Sequence, residues 1–317
     1  MKFDFGIRVT AKQFGKDSLK SIIPLIILFT IGPIFYDNPF FFFLLAVLIV
    51  STNALNIVYG FTGYLPFGFA VFIAFGAYLT AMAINILNFP EVFAILFGGL
   101  SSVALSMVFT PLLRLSGAYF AIASLGAFEV MYYFMSNLSL TKYTGGPYGI
   151  EPHIPYTPVA DFIAIVSVAA VSSLIILFIH HSNFGLALKA ISDDRTSAEM
   201  SGIHTLRVRT VAWALSSFLA GIAGALYGIN LAFFYPSGVF DLTQFSVLVI
   251  VFLIFGGKGS YLGPLIGTVV LYLVYQFVTF NYPNFSLLVF GVIIVLLILF
   301  LSDGVTSRLK SILPGVF

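Results

Sequence analysis

Residues 182–209 read SNFGLALKAISDDRTSAEMSGIHTLRVR, the longest polar segment in a chain that is otherwise strongly apolar. Apolar runs lie on both sides of it, and each is near the length of about 20 residues that a helix needs to cross a bilayer. The segment therefore predicts a loop in water between two groups of membrane helices. It contains seven charged residues: Lys189, Asp193, Asp194, Arg195, Glu199, Arg207 and Arg209.

The composition excludes an ordinary soluble domain. Of 317 residues, 60% are hydrophobic and only 8% are charged, and the mean hydropathy is +1.08. A soluble fold needs a much larger charged fraction for its surface. The absence of cysteine excludes disulfides and thiolate metal sites. The predicted fold class is an all-α polytopic integral membrane protein.

Hydropathy predicts about ten transmembrane helices. The first, eighth and tenth are short for a full crossing, and Pro24 and Pro33 interrupt the first, so eight helices with re-entrant segments is the alternative. The expected spans are 21–36, 39–58, 64–84, 92–113, 117–137, 159–181, 210–234, 241–256, 261–280 and 285–301.

Basic residues predict the topology. Ten spans with a cytoplasmic N-terminus leave Lys142 as the single basic residue outside among 14, which satisfies the positive-inside rule. Both termini are then cytoplasmic (1–20 and 302–317), and 182–209 is a cytoplasmic loop between membrane parts 21–181 and 210–301. A Gly/Pro-rich segment, 140–158, is external. The basic residues expected inside are Lys2, Arg8, Lys12, Lys16, Lys20, Arg114, Lys189, Arg195, Arg207, Arg209, Lys258, Arg308 and Lys310.

The polar loop predicts two short helices. The second is expected to run from about Asp194 to Ser201, with Ser192 or Asp193 as its N-cap and Gly202 just beyond its end. A helix of that length needs a partner surface to hold it. The alternative is a solvated loop capped by its own charges.

Two features inside the spans leave alternatives open. Glu129 is the one ionisable residue well inside a span, so it either faces a translocation pathway or is a hydrogen-bonded carboxyl between two helices. The small residues around Gly221, Gly224 and Gly228 permit close helix contact, within this chain or at a permease dimer face.

No catalytic set is visible in the sequence. There is no HExxH pair for a metal and no G-x-S-x-G elbow, and GGKGS at 256–260 lacks the spacing of a phosphate-binding loop. The prediction is a transporter without a cofactor, a metal site or an ATPase activity of its own. A membrane-embedded enzyme is a weaker alternative.

Six motifs, in order over about residues 50–265, resemble permease subunits of branched-chain amino acid ABC importers. Each motif is weak alone, and the order makes them specific. They are Gly60, Gly63, Leu65, Gly68 and Gly76–Tyr78 after Asn56; Leu113–Leu115, Gly117, Tyr119–Ala121 and Glu129; Thr144–Gly146 and Gly149; Gly185 to Ile203 within the polar loop; Leu215, Ser216 and Ala220–Leu226; and Gly256, Gly257, Gly259, Ser260, Gly263 and Pro264.

The resemblance implies a role for the polar loop. In such permeases a central cytoplasmic loop docks on an ATP-binding subunit, here through Asp193, Asp194, Ala198, Glu199, Gly202 and Ile203. It also implies a pathway that includes Asn56, Gly63, Glu129, Gly145 and Gly146. Tyr64, Pro66 and Phe69 stand where the family usually has polar residues, so cargo recognition could differ here.

The resemblance further implies partners and cargo. The expected partners are a second permease, two ATP-binding subunits, an extracytoplasmic binding protein and the lipid bilayer of the plasma membrane, with no nucleic acid. The expected cargo is leucine, isoleucine or valine, with urea, short amides or other amino acids as alternatives. A stand-alone secondary transporter is the rival class, but it needs more intramembrane ionisable residues than Glu129 alone.

Overall fold

The apolar runs fold into helices that lie side by side. The computed structural model describes residues 6, 9, 11–36, 38–155, 157–285, 288–289, 291–292, 294–296 and 304–306. No β-strand occurs among them, and Ile150 and Phe234 form one isolated bridge. The helices are α1 (Ala11–Phe35), α2 (Pro39–Leu55), α3 (Ala70–Leu87), α4 (Glu91–Val108), α5 (Gly117–Met135), α6 (Thr141–Thr144), α7 (Pro158–His181), α8 (Asn183–Asp193), α9 (Arg195–Met200), α10 (Thr205–Leu231), α11 (Pro236–Val239), α12 (Leu248–Gly256) and α13 (Gly263–Asn281).

The described residues contain nine helices that are long and apolar enough to span a membrane. They match the first nine expected spans, so the all-α membrane fold is confirmed. A π-helical turn, Asn56–Gly60, extends α2, and another, Thr243–Val247, lies between α11 and α12 in the eighth span. The eighth span reaches 21 residues because α11, this turn and α12 form one candidate crossing.

Three helices begin at other residues than the expected spans. The first helix begins at Ala11, not at 21, because its polar first turns are held by Asp17, which pairs with Lys20 at 3.7 Å and with His181 at 3.2 Å. The third begins at Ala70, not at 64, because residues 64–67 around Pro66 are not helical. The seventh begins at Thr205, so residues 205–209 of the polar loop are also the first residues of α10.

The tenth expected span, 285–301, lies partly outside the described residues. Helix α13 starts beside α12 and has 19 residues, which is about 28 Å at ~1.5 Å per residue. Thr306 nevertheless lies beside the start of α13, where its hydroxyl donates to the Gly256 carbonyl at 2.7 Å. The chain thus returns between 281 and 304 to the end of the bundle that it left.

The core is formed around α2 and α10. The apolar window of α2 is 94% buried and that of α10 is 83%, against 22% for α1, so α1 lies at the periphery. Helix α10 packs against α3 and α4 through its glycines. A Cβ on Gly224 would overlap the Ile73 carbonyl, and one on Gly221 would lie 2.6 Å from Ser102 Cβ.

The loops gather at the two ends of the bundle. At one end the Asn56 amide donates to the Ser260 carbonyl at 2.9 Å, and the Lys189 ammonium lies 5.8 Å from the Phe61 ring. At the other end the Asn85 amide donates to the Glu151 carbonyl at 2.7 Å. The first end carries the polar loop, and we call it the loop end.

Candidate functional site

The polar loop is held to the bundle by α8. The Ser182 hydroxyl accepts a hydrogen bond from the Gly185 amide at 3.1 Å and caps the helix, as serine commonly does at an N-cap. Phe184, Leu188 and Ile191 are buried against the core on one face of α8. This spacing of three and four residues is that of an amphipathic helix, so α8 anchors the loop.

The second short helix, α9, starts one residue later than the cap prediction. Asp194 is the N-cap, with extended backbone (φ −154°), and its carboxylate accepts from the Ser197 amide at 2.6 Å. Ser192 and Asp193 cannot be the cap because both belong to α8. The Ser197 amide also lowers the pKa of Asp194 below its usual value, since this hydrogen bond favours the ionised carboxylate.

Gly202 ends α9 as the sequence predicts. Its φ is +83°, its amide donates to the Glu199 carbonyl at 3.0 Å, and the Ile203 amide donates to the Ala198 carbonyl at 3.0 Å. These two bonds form a Schellman motif, which favours glycine because a side chain strains the left-handed backbone. Helix α9 therefore has six residues and not about eight, and defined caps stand at both ends.

Glu199 joins α9 to the start of α10. Its Oε1 accepts from the Thr205 hydroxyl at 2.5 Å and from Arg195 Nε at 3.1 Å. The Thr205 hydroxyl, followed by the Arg195 guanidinium, lowers the pKa of Glu199 below its ordinary value. The carboxylate is half exposed, so it is ionised at neutral pH and open to the solvent.

A cavity of about 430 Å³ opens between α9 and the first turn of α10. It is lined by Glu199 and three basic side chains, and by Gly202 and Ile203 at the end of α9. Its basic side chains are Arg195, His204 and Arg207. The cavity and the exposed face of α9 together make a polar surface outside the helix bundle.

Sequence analysis missed the contact between Arg209 and Tyr64. Arg209 Cζ lies 3.4 Å from the centroid of the Tyr64 ring, and Arg209 is only 2% exposed. Among the described residues, no polar atom makes a hydrogen bond to its Nε, Nη1 or Nη2. The sequence signal was an arginine at the start of an apolar helix, but its partner lies far away in the chain.

The expected pathway residues lie at separate places. Asn56 is buried at the loop end, where its amide joins the Ser260 carbonyl and the Gly259 amide, both at 2.9 Å. Gly145 and Gly146 lie at the opposite end, in the turn after α6. Glu129 is exposed on the outer side of α5, so it does not lie between two helices of this chain.

Gly63 lies at the rim of a second cavity, of about 490 Å³, at the loop end. Its walls are the turn that contains Tyr64 and the first half of α5. We call it the apolar groove; its side chains include Tyr64, Leu65, Phe67, Ala118, Ile122 and Leu125.

The remaining expected site residues lie as follows. Asp193 is exposed at the end of α8, and Ala198 is buried beneath α9. Gly221, Gly224 and Gly228 are all buried inside the chain, where Gly228 approaches Ala77 of α3. In this structure, the glycine stripe is a contact within one chain.

Comparison with known proteins identifies a family model and three similar permeases. Residues 36–298 match the family model described as branched-chain amino acid transport system / permease component, which is more than four fifths of the chain. The high-affinity branched-chain amino acid transport system permease protein LivM of Salmonella typhimurium is 26% identical over 81% of this chain and 67% of its own length. LivM of Escherichia coli is 25% identical over the same shares. The probable ABC transporter permease protein YphD of Escherichia coli is 31% identical over 45% of this chain and 43% of its own length.

These relatives and the nine span-length helices indicate a multi-pass protein of the plasma membrane. They describe a transporter subunit rather than an enzyme. The family match extends through the loop, the glycine contacts of α10 and the apolar groove. The chain belongs to the branched-chain amino acid transport system permease family.

Proposed function

We propose that this chain forms half of the membrane channel of an ATP-driven importer for leucine, isoleucine and valine. The observation that carries the proposal is α9, a capped helix outside the bundle that is bonded to α10 through Glu199. A helix of six residues is marginal in isolation, so a partner surface is expected to hold α9. The names of the similar LivM proteins supply the class of cargo.

The docking partner in this proposal is an ATP-binding subunit. It contacts the surface formed by Asp193, Asp194, Glu199, Gly202 and Ile203, while Ala198 packs beneath. The loop end faces the cytoplasm, because the basic residues collect there and ATP is available on that side. A second permease, a second ATP-binding subunit and an external binding protein complete the assembly.

Movement reaches the bundle through the two short helices. Helix α8 is held by three buried apolar side chains, whereas α9 is mostly exposed and linked to the first turn of α10. Closure of the ATP-binding subunits displaces α9 and rotates the loop end of α10. Alternating access follows if this displacement favours the inward-facing packing of the bundle.

The translocation pathway in this proposal runs along the outer face of α5 and is completed by the second permease. Glu129 is exposed there, and a charged side chain at mid-membrane costs about 2.5–3.5 kcal/mol on insertion scales. A carboxylate on that face therefore favours a protein or water surface over lipid. Gly63 and the apolar groove lie at the loop end of the same face.

Uptake by reconstituted vesicles tests the proposal. The chain is co-purified with candidate permease, ATP-binding and binding-protein subunits, and uptake of labelled leucine is measured with ATP inside the vesicles. We expect ATP-dependent uptake that unlabelled isoleucine and valine inhibit and that urea and acetamide do not. Uptake driven by an ion gradient without ATP would contradict the proposal and support a secondary transporter.

Glu129→Gln tests the pathway in the same vesicles. The amide keeps the shape and removes the charge, so we expect a several-fold loss of uptake with normal assembly. The matched control is Glu151→Gln, the same change at an exposed carboxylate that lies outside α5. Unchanged uptake by Glu129→Gln would remove this residue from the pathway.

A further inference from the structure

The contact between Arg209 and Tyr64 belongs to a stripe of side chains along α10. Thr205, Arg209 and Trp213 follow one another at intervals of four residues, so they lie on one face of the helix. Thr205 donates its hydroxyl to Glu199 of the loop. One turn later Arg209 lies on the Tyr64 ring, and one turn further Trp213 is buried in the core.

The Tyr64 ring connects this stripe to the apolar groove. The residue lies in the turn before α3 and forms part of the groove wall. Its ring makes an edge contact with Phe120 of α5, with 5.6 Å between centroids. Tyr64 therefore contacts both sides of the groove, the turn at 63–67 and the first half of α5.

Three contacts hold Trp213, the last residue of the stripe, in place. Phe120 meets Trp213 at 5.9 Å between ring centroids, and Trp213 meets Phe72 of α3 at 4.9 Å. The indole Nε1 donates to the Ser106 carbonyl of α4 at 3.1 Å. Trp213 is thus fixed by three helices, and Arg209 lies between this fixed point and the hydrogen bonds at Glu199.

Arg209 is suited to a sliding contact. Its guanidinium is buried, and its hydrogen-bonding nitrogens make no bond to any described residue. A planar guanidinium on an aromatic face keeps its attraction when it shifts along the ring, because no directional bond is broken. The Tyr64 hydroxyl also faces the Arg195 guanidinium, which is bonded to Glu199.

We propose that Tyr64 is a positioning residue that transmits movement of α9, through Arg209, to the width of the apolar groove. The inference rests on the proposed function, since it assumes that an ATP-binding subunit moves α9. A shift of the loop end of α10 carries Arg209 with it, and the ring follows because the two are in contact. The ring in turn moves Phe67 and Leu65 relative to α5.

Transport stoichiometry in the complete transporter tests the link. Tyr64→Leu and Arg209→Leu are each expected to lower leucine transported per ATP hydrolysed by about 5-fold or more, the lower range of measured couplings. The double variant should lose no more than either single variant, because both remove one contact. Tyr64→Phe keeps the ring and is expected to restore most of the coupling.

A labelling measurement separates transmission from damage to the fold. The chain contains no cysteine, so Ile122→Cys adds a single thiol in the apolar groove, where Ile122 is 68% exposed. A non-hydrolysable ATP analogue should change the labelling rate at this thiol. The change should disappear in Tyr64→Leu and persist in Tyr64→Phe, with equal melting temperatures.

Lys258→Leu is the matched control, because it removes an exposed cation that lies 5.7 Å from the Tyr59 ring at the same end. It should leave coupling unchanged. Wild-type coupling in both Tyr64→Leu and Arg209→Leu, or losses that add in the double variant, would overturn the link. Failure of the unmodified chain to transport leucine with ATP would instead overturn the proposed function.

Discussion

The Thr205 hydroxyl donates a 2.5 Å hydrogen bond to Glu199, and this bond joins the outer helix α9 to the first residue of membrane helix α10. The same carboxylate oxygen also accepts from Arg195 within α9. One charged group therefore holds α9 in shape and connects it to the bundle.

Glu199→Lys is expected to uncouple ATP hydrolysis from transport. Lysine has no acceptor for either bond and brings a cation beside Arg195. Transport should fall by at least about 10-fold, which corresponds to a loss of about 1.4 kcal/mol in the coupling between α9 and α10. Membrane insertion and ATP hydrolysis by the complex should persist. Glu199→Gln, which keeps an acceptor oxygen for Thr205, should lie between this variant and the wild type. Normal uptake by Glu199→Lys would reduce the loop to a solvated connection.

Gly202→Pro is expected to unfold the end of α9. Proline fixes φ near −65° and has no amide hydrogen, whereas Gly202 has φ +83° and donates to Glu199. Coupled transport should be lost, and hydrogen exchange at 198–203 should rise.

Gly202→Asn is the graded control for that variant. Asparagine tolerates the left-handed region, and no heavy atom of the described residues lies within 4 Å of an added Cβ, so only backbone strain is tested. It should retain more activity than Gly202→Ala. Equal activity of the proline, alanine and asparagine variants would contradict a role for the Schellman motif.

The stability of α9 should fall at acidic pH. The folded pKa values of Asp194 and Glu199 are lowered, so their stabilising effect is present above the unfolded values of about 4 and is lost as pH falls through the folded values. Protection of the α9 amides, corrected for intrinsic exchange, should be constant from about pH 8 to 5 and fall below about pH 4. Asp194→Asn should have a weaker pH dependence, and an equally steep one would contradict the assignment.

Gly224→Ala is expected to destabilise the permease itself. The added methyl would overlap the Ile73 carbonyl of α3, and overpacking of this kind costs about 1–3 kcal/mol. The melting temperature in detergent should fall by several degrees. Gly238→Ala is the control, because its added Cβ would have no heavy atom within 4 Å in the part of the chain that the structure describes. A stripe that served a permease dimer would instead weaken association and leave the melting temperature of the single chain unchanged.

Local patterns in the sequence predicted much of the fold. Each membrane helix satisfies its own backbone hydrogen bonds, so apolar length is sufficient to locate it, and nine of the expected spans are present. The end of α9 was also predictable, because the need for glycine at Gly202 arises from its own backbone angles. The cap was misplaced by one residue because α8 extends through Asp193.

Only the tertiary structure decided which faces of the helices meet. Helix α5 is apolar almost all round, so its sequence did not indicate that Glu129 lies on the outer side. Asn56 was expected in a pathway, and its amide joins the end of α2 to the distant loop at 259–260. Tyr64 was notable in the sequence only as a departure from the family pattern. Its contact with Arg209 depends on how α10 packs beside the turn before α3. These two segments are far apart in the chain, so a local sequence pattern cannot predict that they pack together.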